Sequence, residues 1–260
     1  MRKSHRILFM TMVALFFSTS AAQAEWHFGI GTGLSLNNVD GEQGFNTVLA
    51  GPVKFDVKLD PKDFKDVTKT AIGFGGYATN GTWMVQYSLS KVELEDSAST
   101  YIPALDSSAR VKINFKTTSA ELTVGYPVYQ TPSLALLADV GLRYTKHEFD
   151  NSLTVSGAVT GRRSSSFDND WTDAILGATL NVPLATQWSW DTRLNGGFGG
   201  SNGTYFVSTG VTWRFLKHWS TSLVGKYMAV DYENGNKGDS DWYLYDADES
   251  SLGLTILFNW

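Results

Sequence analysis

The sequence contains no cysteine, and it also has no long apolar run beyond residue 24. Without cysteine, a disulfide scaffold and thiolate-bound zinc or iron–sulfur sites are excluded. Without 18 consecutive apolar residues, no transmembrane helix is expected in that part of the chain. Basic residues are scarce as well. Residues 1–24 hold three of the 21 Lys and Arg and none of the 26 Asp and Glu, so residues 25–260 carry 18 against 26, a net charge of −8. That balance argues against nucleic acid as a partner.

Glycine and aromatic residues are abundant instead: 25 Gly, 9 Trp, 11 Tyr and 15 Phe among 260 residues. An apolar content of 42% argues against disorder. The mean hydropathy of −0.16 argues against a bundle of membrane helices. Composition alone does not give the fold class, so the fold is inferred below from the pattern of apolar and polar residues along the chain.

Residues 1–24 have the features of a cleaved signal peptide. Arg2, Lys3 and Arg6 precede an apolar run at residues 7–17, and Ala22 and Ala24 form a small-x-small cleavage site. The apolar run is well short of the ~20 residues that a membrane helix needs, which disfavours an uncleaved anchor. We therefore expect a signal peptide at 1–24 and a single exported domain at 25–260.

From residue 26 onward, apolar residues alternate with small or polar ones, which is the pattern of strands with one apolar face. Most of these segments have the ~9–11 residues that a tilted strand needs to cross a bilayer. Within residues 111–126 the alternation changes phase, which predicts a bulge near residues 116–119 or an excursion above the membrane. Ten candidate strands follow: 26–36, 70–74, 83–89, 111–126, 134–144, 174–182, 188–194, 205–215, 219–227 and 252–260.

The connections between these strands alternate between short turns and long polar segments, with residues 196–203 as the exception. Short turns on one side and long loops on the other are typical of outer-membrane β-barrels. The first long segment itself alternates at residues 53–59, so either the second strand starts early or the loop holds a hairpin. We regard it as a place where a soluble partner could add a strand. Long extracellular loops are expected near 37–69, 93–109, 145–170 and 231–249.

On these features the sequence resembles Gram-negative outer-membrane β-barrel proteins over the whole of residues 25–260. The most specific piece is the last strand, 252–260, whose Phe258 and Trp260 are similar to the assembly signal read by the barrel-assembly machinery in that class. The resemblance implies an all-β, transmembrane, antiparallel up-and-down β-barrel of ten strands, with eight or twelve as alternatives. A soluble β-sandwich or lipocalin-like barrel is disfavoured, because glycines crowd the polar face and aromatic residues cluster at both strand ends.

The resemblance also implies a location and partners. It implies a monomer in the outer membrane of a Gram-negative bacterium, exported through the periplasm. The implied partners are outer-membrane lipid and lipopolysaccharide, periplasmic chaperones and the barrel-assembly machinery. No cofactor is expected.

The polar face of the predicted barrel carries four acidic and four basic residues. Since charges inside a membrane barrel are costly unless they are paired, we expect a salt-bridged interior that fixes the strand register. A narrow polar path for small solutes is the alternative, because about ten strands enclose too little space for a wide channel. The predicted lumen network consists of Glu121, Asp139, Asp173, Asp191, Arg143, Arg193, Arg214 and Lys226.

His147, Asp170 and Asp173 are the candidates for a catalytic site at the extracellular rim. A histidine among carboxylates there is similar in composition to the omptin proteases, which are ten-stranded barrels, although no omptin motif stands at matching positions. A solvated cluster is the alternative, and no G-x-S-x-G of a lipase is present. The leading interpretation is thus a non-enzymatic barrel of structural, surface-interaction or narrow-channel type. An outer-membrane hydrolase, either a protease or a lipid A-modifying enzyme, is the alternative.

The last long segment, residues 231–249, holds seven acidic residues and one lysine. Carboxylate oxygens are ligands for Ca²⁺ or Mg²⁺, although the spacing does not fit an EF-hand loop. A solvated acidic loop is the alternative, and Arg162 and Arg163 are placed to contact lipopolysaccharide phosphates. The candidate metal ligands are Asp239, Asp241, Asp246 and Asp248.

Overall fold

The computed structural model describes residues 25–47, 51–102, 106–158 and 160–260. The expected signal peptide at 1–24 lies outside these described residues. Within them, no helix is both long and apolar enough to cross a bilayer. The elements are β1 (His27–Thr47), β2 (Gly51–Leu59), α1 (Pro61–Val67), β3 (Thr68–Thr79), β4 (Met84–Ile102), β5 (Ser107–Thr131), β6 (Leu134–Gly157), β7 (Gly161–Ala185), β8 (Trp188–Phe198), β9 (Gly203–Leu216), β10 (Trp219–Asn234) and β11 (Tyr243–Asn259).

Ten of the strands form a closed, hydrogen-bonded ring in which every neighbouring pair is antiparallel. The ring runs β1, β3, β4 and onward to β11, which pairs again with β1. At the closure, Phe28 and Trp260 exchange backbone hydrogen bonds of 2.9 and 3.0 Å. The ten-stranded antiparallel barrel predicted from the sequence is therefore confirmed. The eleventh strand, β2, pairs only with residues 39–47 of β1, so the alternating segment in the first loop is a hairpin strand.

In the lower, periplasmic half of the barrel the strands are apolar outside and polar inside. Along β6, Val140 and Leu142 are exposed on the outside, whereas Asp139 and Arg143 are buried in the lumen. Aromatic side chains pack along the periplasmic edge, with Trp188 stacked on Trp213 at 5.6 Å between ring centroids. This arrangement is the outward apolar band and aromatic girdle of a membrane barrel.

Above that band the two faces exchange polarity. Lys146 and Glu148 of β6 point outward, while His147 and Phe149 point inward and are buried. The register of β5 with β4 and with β6 is unbroken through residues 107–126, so the change of phase in β5 is not a bulge. The outward residues of β5 there, such as Lys116 and Asn114, are polar, as expected of a strand that extends beyond the membrane into water.

This exchange corrects the expected long loops. The segments 37–69, 93–109, 145–170 and 231–249 are mostly strand, because β1, β4, β5, β6, β7, β10 and β11 extend far above the apolar band. Their outward residues are charged and form ion pairs such as Lys116 with Asp150 at 2.9 Å. In the sequence, such a polar outer face looks like a loop.

Pairing between β1 and β3 is confined to their lower ends. Only six residue pairs join them, from His27 with Thr79 to Thr32 with Phe74. Above these pairs, residues 33–38 of β1 are paired only with β11, and residues 68–73 of β3 only with β4. Pairing of Val39 with Leu59 closes the gap at the top, where α1 contacts both β1 and β4. We call this gap the β1–β3 window; at ~3.3 Å per residue it is about 20 Å tall.

Candidate functional site

The lumen contains a cavity of about 2270 Å³ that reaches from the periplasmic rim, at Lys217 and His218, past Phe149 and Trp171 to Ile113 and Asn151. The cavity lies to one side of the barrel. On β5, β6 and β7, large or charged inward side chains such as Glu121, Arg143 and Trp171 are packed against their neighbours. On β1, β3 and β4, the inward residues beside the cavity are small and exposed: Gly33, Ser35, Ala71, Ser88 and Ser90.

The packed side of the lumen is organised around the carboxylate of Glu121. Its Oε2 accepts a hydrogen bond from Nε of Arg143 at 2.8 Å and lies 2.7 Å from Nη2 of the same guanidinium. Its Oε1 accepts a hydrogen bond from Nη1 of Arg193 at 2.6 Å. Arg143 also donates to Oδ1 of Asn195 at 3.0 Å. Both guanidinium groups lie over the ring of Phe206, at 5.3 and 5.8 Å from its centroid. The network ties β5, β6, β8 and β9 together and can specify their register.

The other members of the predicted lumen network have different partners. Asp139 accepts a hydrogen bond from Thr179 at 2.5 Å and lies 4.0 Å from Nε of Arg193. Asp191 accepts hydrogen bonds from Asn181 and Ser189. The structure thus brings Glu121, Asp139, Arg143 and Arg193 into one cluster and leaves Asp191 with uncharged partners.

Arg214 and Lys226 also line the cavity, but neither joins the cluster around Glu121. Both side chains are exposed within the lumen. Among the described residues, neither forms an ion pair within 4 Å. They leave positive charge available at the cavity surface.

The three candidate catalytic residues do not come together. His147 is buried in the lumen, whereas Asp170, on the neighbouring strand β7, points outward and is exposed. Asp173 points inward but binds the loop between β8 and β9, accepting hydrogen bonds from the amides of Gly200 and Ser201 at 3.1 and 2.8 Å. No described carboxylate contacts the imidazole of His147, so the structure shows no His–Asp pair at the rim.

His147 lies in an aromatic cage. Its Nδ1 is 2.8 Å from the hydroxyl of Tyr243, and the rings of Phe115, Trp171 and Tyr245 lie 4.6 to 5.0 Å from its own. Burial lowers the pKa of His147 from 6.5 to about 3, so the ring is neutral at physiological pH. A neutral, caged imidazole is a packing residue with one hydrogen bond.

This cage is part of a larger cluster, which packs across the upper lumen and which we call the aromatic plug. The rings of Phe45 on β1 and Phe167 on β7 are 4.9 Å apart, and Phe149 stacks on Phe167 at 4.8 Å. Trp171 points inward and stacks on Tyr232 at 4.1 Å. The plug consists of Phe45, Phe115, His147, Phe149, Phe167, Trp171, Tyr232, Tyr243 and Tyr245.

Sequence reasoning missed the plug, although its signal is present. Phe149 and Phe167 stand in alternation with polar or charged neighbours inside a segment that reads as a loop, and Phe115 stands in the out-of-phase part of the candidate strand 111–126. In these segments apolar residues occupy the positions that face the lumen, whereas in the membrane-crossing segments they occupy the outward positions. This reversed alternation indicates a core inside the barrel. The β1–β3 window has no comparable signal in the sequence.

The candidate metal ligands are also dispersed. Asp246 and Asp248 lie on the exposed outer face of β11, Asp241 is exposed, and Asp239 accepts a hydrogen bond from the amide of Asn236 at 2.9 Å. In the part of the chain that the structure describes, no group of three or more His, Asp or Glu side chains is placed to hold a metal ion.

The two residues of the expected assembly signal lie in the periplasmic girdle. Phe258 packs against Trp219 at 5.1 Å, and Trp260 stacks on Phe28 at 5.6 Å. These contacts join β10, β11 and β1 at the place where the barrel closes. Phe258 and Trp260 therefore also help to hold the barrel closed between β11 and its two neighbours.

No protein-family model matches the chain, and no curated protein matches it in sequence. Among solved structures it is similar to the outer-membrane protease OmpT of Escherichia coli, with a TM-score of 0.59 at 9% identity over 94% of this chain and 99% of that chain. The translocator domain of the autotransporter NalP from Neisseria meningitidis follows at a TM-score of 0.46 and 12% identity, covering 96% and 95% of the two chains. The attachment invasion locus protein Ail of Yersinia pestis has a TM-score of 0.36 and 12% identity over 91% and 99%. At these identities the likeness to OmpT concerns the fold alone. The closed ring of ten antiparallel strands, the outward apolar band and this shared fold show that the chain has the fold of a Gram-negative outer-membrane β-barrel protein.

Proposed function

We propose that the protein is a non-enzymatic outer-membrane barrel of narrow-channel type, closed at its extracellular end by the aromatic plug. The contact between Phe45 and Phe167 carries this proposal, because it joins strands on opposite sides of the ring. Below it, the cavity is continuous with the periplasmic rim. A lumen that is open below and narrowed above by packed aromatic rings suits controlled passage better than free diffusion.

An extracellular hydrolase is the second candidate, and the fold shared with a protease is the observation in its favour. The residues of this chain give it less support. The imidazole of His147 is neutral and caged, and Asp170 lies on the other face of the wall. A general base needs hydrogen-bond access to its substrate, which this histidine lacks while the plug is packed.

Single-channel conductance in a planar bilayer tests the proposal. We expect the wild-type protein to be closed for most of the recording at neutral pH. The double variant Phe45→Ala, Phe167→Ala should conduct steadily, and the outward-facing variant Phe198→Ala should behave as the wild type. A wild-type conductance as large as that of the double variant would contradict closure by the plug. Hydrolysis of peptide or lipid by the purified protein, abolished in His147→Ala, would instead favour the enzyme.

A further inference from the structure

The β1–β3 window ends at a defined hydrogen bond. The last backbone pair joins Thr32 to Phe74, and one step above it the hydroxyl of Thr32 donates to the carbonyl of Gly73 at 2.6 Å. The Thr32 hydroxyl thus donates to the Gly73 carbonyl in place of the backbone amide that would continue the pairing of the two strands. The lower border of the window is therefore fixed by a specific side-chain hydrogen bond.

The window lies within the apolar band, in its outer half. Leu36, on its β1 edge, is level with Leu252, the first apolar outward residue of β11, and Asp40 marks the charged region above. Leu34 and Ile72, on its two edges, point outward and are 83% and 63% exposed. Unpaired backbone groups in hydrocarbon cost several kcal/mol each. In a bilayer, these two edges therefore favour an occupant that offers hydrogen-bonding groups at this depth.

Behind the window, the wall of the lumen is small and polar. Ser35 and Ala71 lie on the window edges, and Ser88 and Ser90 lie on the next strand; all four are exposed to the cavity. The opposite wall is filled by the buried side chains around Glu121. The cavity therefore has room for a polar group immediately inside the window, while the outside of the window faces lipid.

A cation lies in register with the upper end of the window. Lys226 of β10 is paired with Ser251 of β11, which is paired in turn with Asn37 at the upper end of the window. Two strand spacings place the backbone of Lys226 about 10 Å from that edge, and its side chain lines the cavity. Its surroundings supply no ion pair among the described residues: Glu121 is held by two arginines, and Glu249 accepts a hydrogen bond from Tyr245.

We propose that the β1–β3 window binds an anionic, single-chain amphiphile from the outer leaflet, with the chemistry of a long-chain fatty acid. The carboxylate lies at the inner opening of the window, where it accepts hydrogen bonds from unpaired backbone amides of the two edges and is paired with Lys226. The acyl chain passes through the window and lies outside against Leu34, Leu36 and Ile72. The apolar chain thus faces the apolar outer surface of the barrel, and the carboxylate faces the polar lumen. The site goes beyond the closed channel and does not depend on the plug.

Photocrosslinking with palmitate that carries a diazirine near the end of its chain tests the site, using protein reconstituted in lipid vesicles. We expect labelled peptides that contain residues 33–38 and 68–73. Palmitate should compete with the probe, whereas hexadecanol and hexadecyltrimethylammonium should compete poorly. Labelling spread evenly over the outward residues of all ten strands would overturn the proposal, and so would equal competition by the three compounds.

Variants test the two halves of the site separately. Lys226→Gln should weaken palmitate binding about tenfold, while Lys217→Gln at the periplasmic rim should leave it unchanged. Ala71→Trp, which fills the space immediately inside the window, should abolish labelling, whereas Ala138→Trp on the outward face of β6 should not. Each variant is first shown to be folded by its heat-dependent shift in gel mobility. If folded Lys226→Gln binds as the wild type does, the assignment of the carboxylate is wrong and the proposal fails.

Discussion

The rings of Phe45 and Phe167 lie 4.9 Å apart, although the strands that carry them are separated by half the circumference of the barrel. Tyr243 of β11 reaches Phe149 of β6 in the same way, at 5.8 Å. Side chains from opposite walls therefore pack against one another above the membrane. The extracellular end is stabilised like the core of a water-soluble protein, by apolar burial within the barrel.

Truncation of Phe149 should destabilise the plug strongly. Phe149 is 4% exposed and contacts Phe115, Phe167 and Tyr243. We expect Phe149→Ala to lower the free energy of unfolding by about 3–5 kcal/mol, as for other buried Phe residues. Urea unfolding in lipid vesicles, followed by tryptophan fluorescence, measures it. Phe198→Ala, at a position 58% exposed on the outer face, is the control, and an equal loss there would contradict a packed plug.

Acidification should loosen the plug through His147. Its pKa is about 3 in the plug and 6.5 when it is free, so between these values the opened state binds a proton that the closed state does not. Stability therefore falls as the pH drops below 6.5, by about 1.4 kcal/mol per pH unit, or about 2 kcal/mol at pH 5. The groups that face the ring, Tyr243, Tyr245, Trp171 and Phe115, are neutral throughout this range.

Hydrogen exchange of the backbone amides of residues 145–149, at pH 7 and pH 5, measures this dependence after correction for the intrinsic rates. His147→Gln keeps a hydrogen-bonding group toward Tyr243 and does not titrate, so its protection should be the same at both values. A pH dependence that persists in His147→Gln would assign the effect to another group.

Removal of the charge on Glu121 should be far more damaging than removal of a charge on the outside. The carboxylate, with its side chain 12% exposed, holds both Arg143 and Arg193. Glu121→Gln leaves two guanidinium groups with too few partners in the lumen, and we expect a loss of about 3–5 kcal/mol in the free energy of unfolding. Glu148→Gln, which breaks the exposed pair with Lys146, should cost less than about 1 kcal/mol. Urea unfolding of the two variants side by side decides it, and similar losses would contradict the network.

Asp173 should control the order of the loop between β8 and β9. Its carboxylate accepts hydrogen bonds from the amides of Gly200 and Ser201 and from the hydroxyl of Ser201. Asp173→Ala leaves these donors without their acceptor, at about 1–3 kcal/mol, so both amides should exchange faster. Asp170→Ala, three residues away but on the outer face, should leave their exchange unchanged. If both variants behave alike, Asp173 does not hold the loop.

The membrane-crossing half of this fold could be predicted from the sequence because lipid imposes a simple rule there. Residues 134–144 and 252–260 alternate strictly, and both lie in strands as expected. Residues 145–157 were assigned to a loop because the rule reverses above the membrane. His147 and Phe149 point inward between the outward Lys146 and Glu148, and that pattern carries no lipid-facing signal.

The lumen-facing charges were also predictable, but their partners were not. Strand parity alone puts Glu121, Arg143 and Arg193 inside the barrel. Which acid meets which base depends on how the ten strands are staggered around the ring. The same limit applied to the rim: His147 is in register with Asn169, so Asp170 belongs to the opposite face. The β1–β3 window depends on where one pair of strands separates, which composition does not encode.

The change from apolar to charged outward residues along each strand also marks where that strand leaves the membrane. On β6 the outward residue is apolar at Leu142 and charged at Lys146. The membrane surface therefore lies within two residues of Tyr144 along the strand. The 13 residues from Thr145 to the end of β6 then measure its projection, about 40 Å along the strand. Applied to every strand in turn, this marker gives the tilt of the barrel rim relative to the bilayer from the order of amino acids alone.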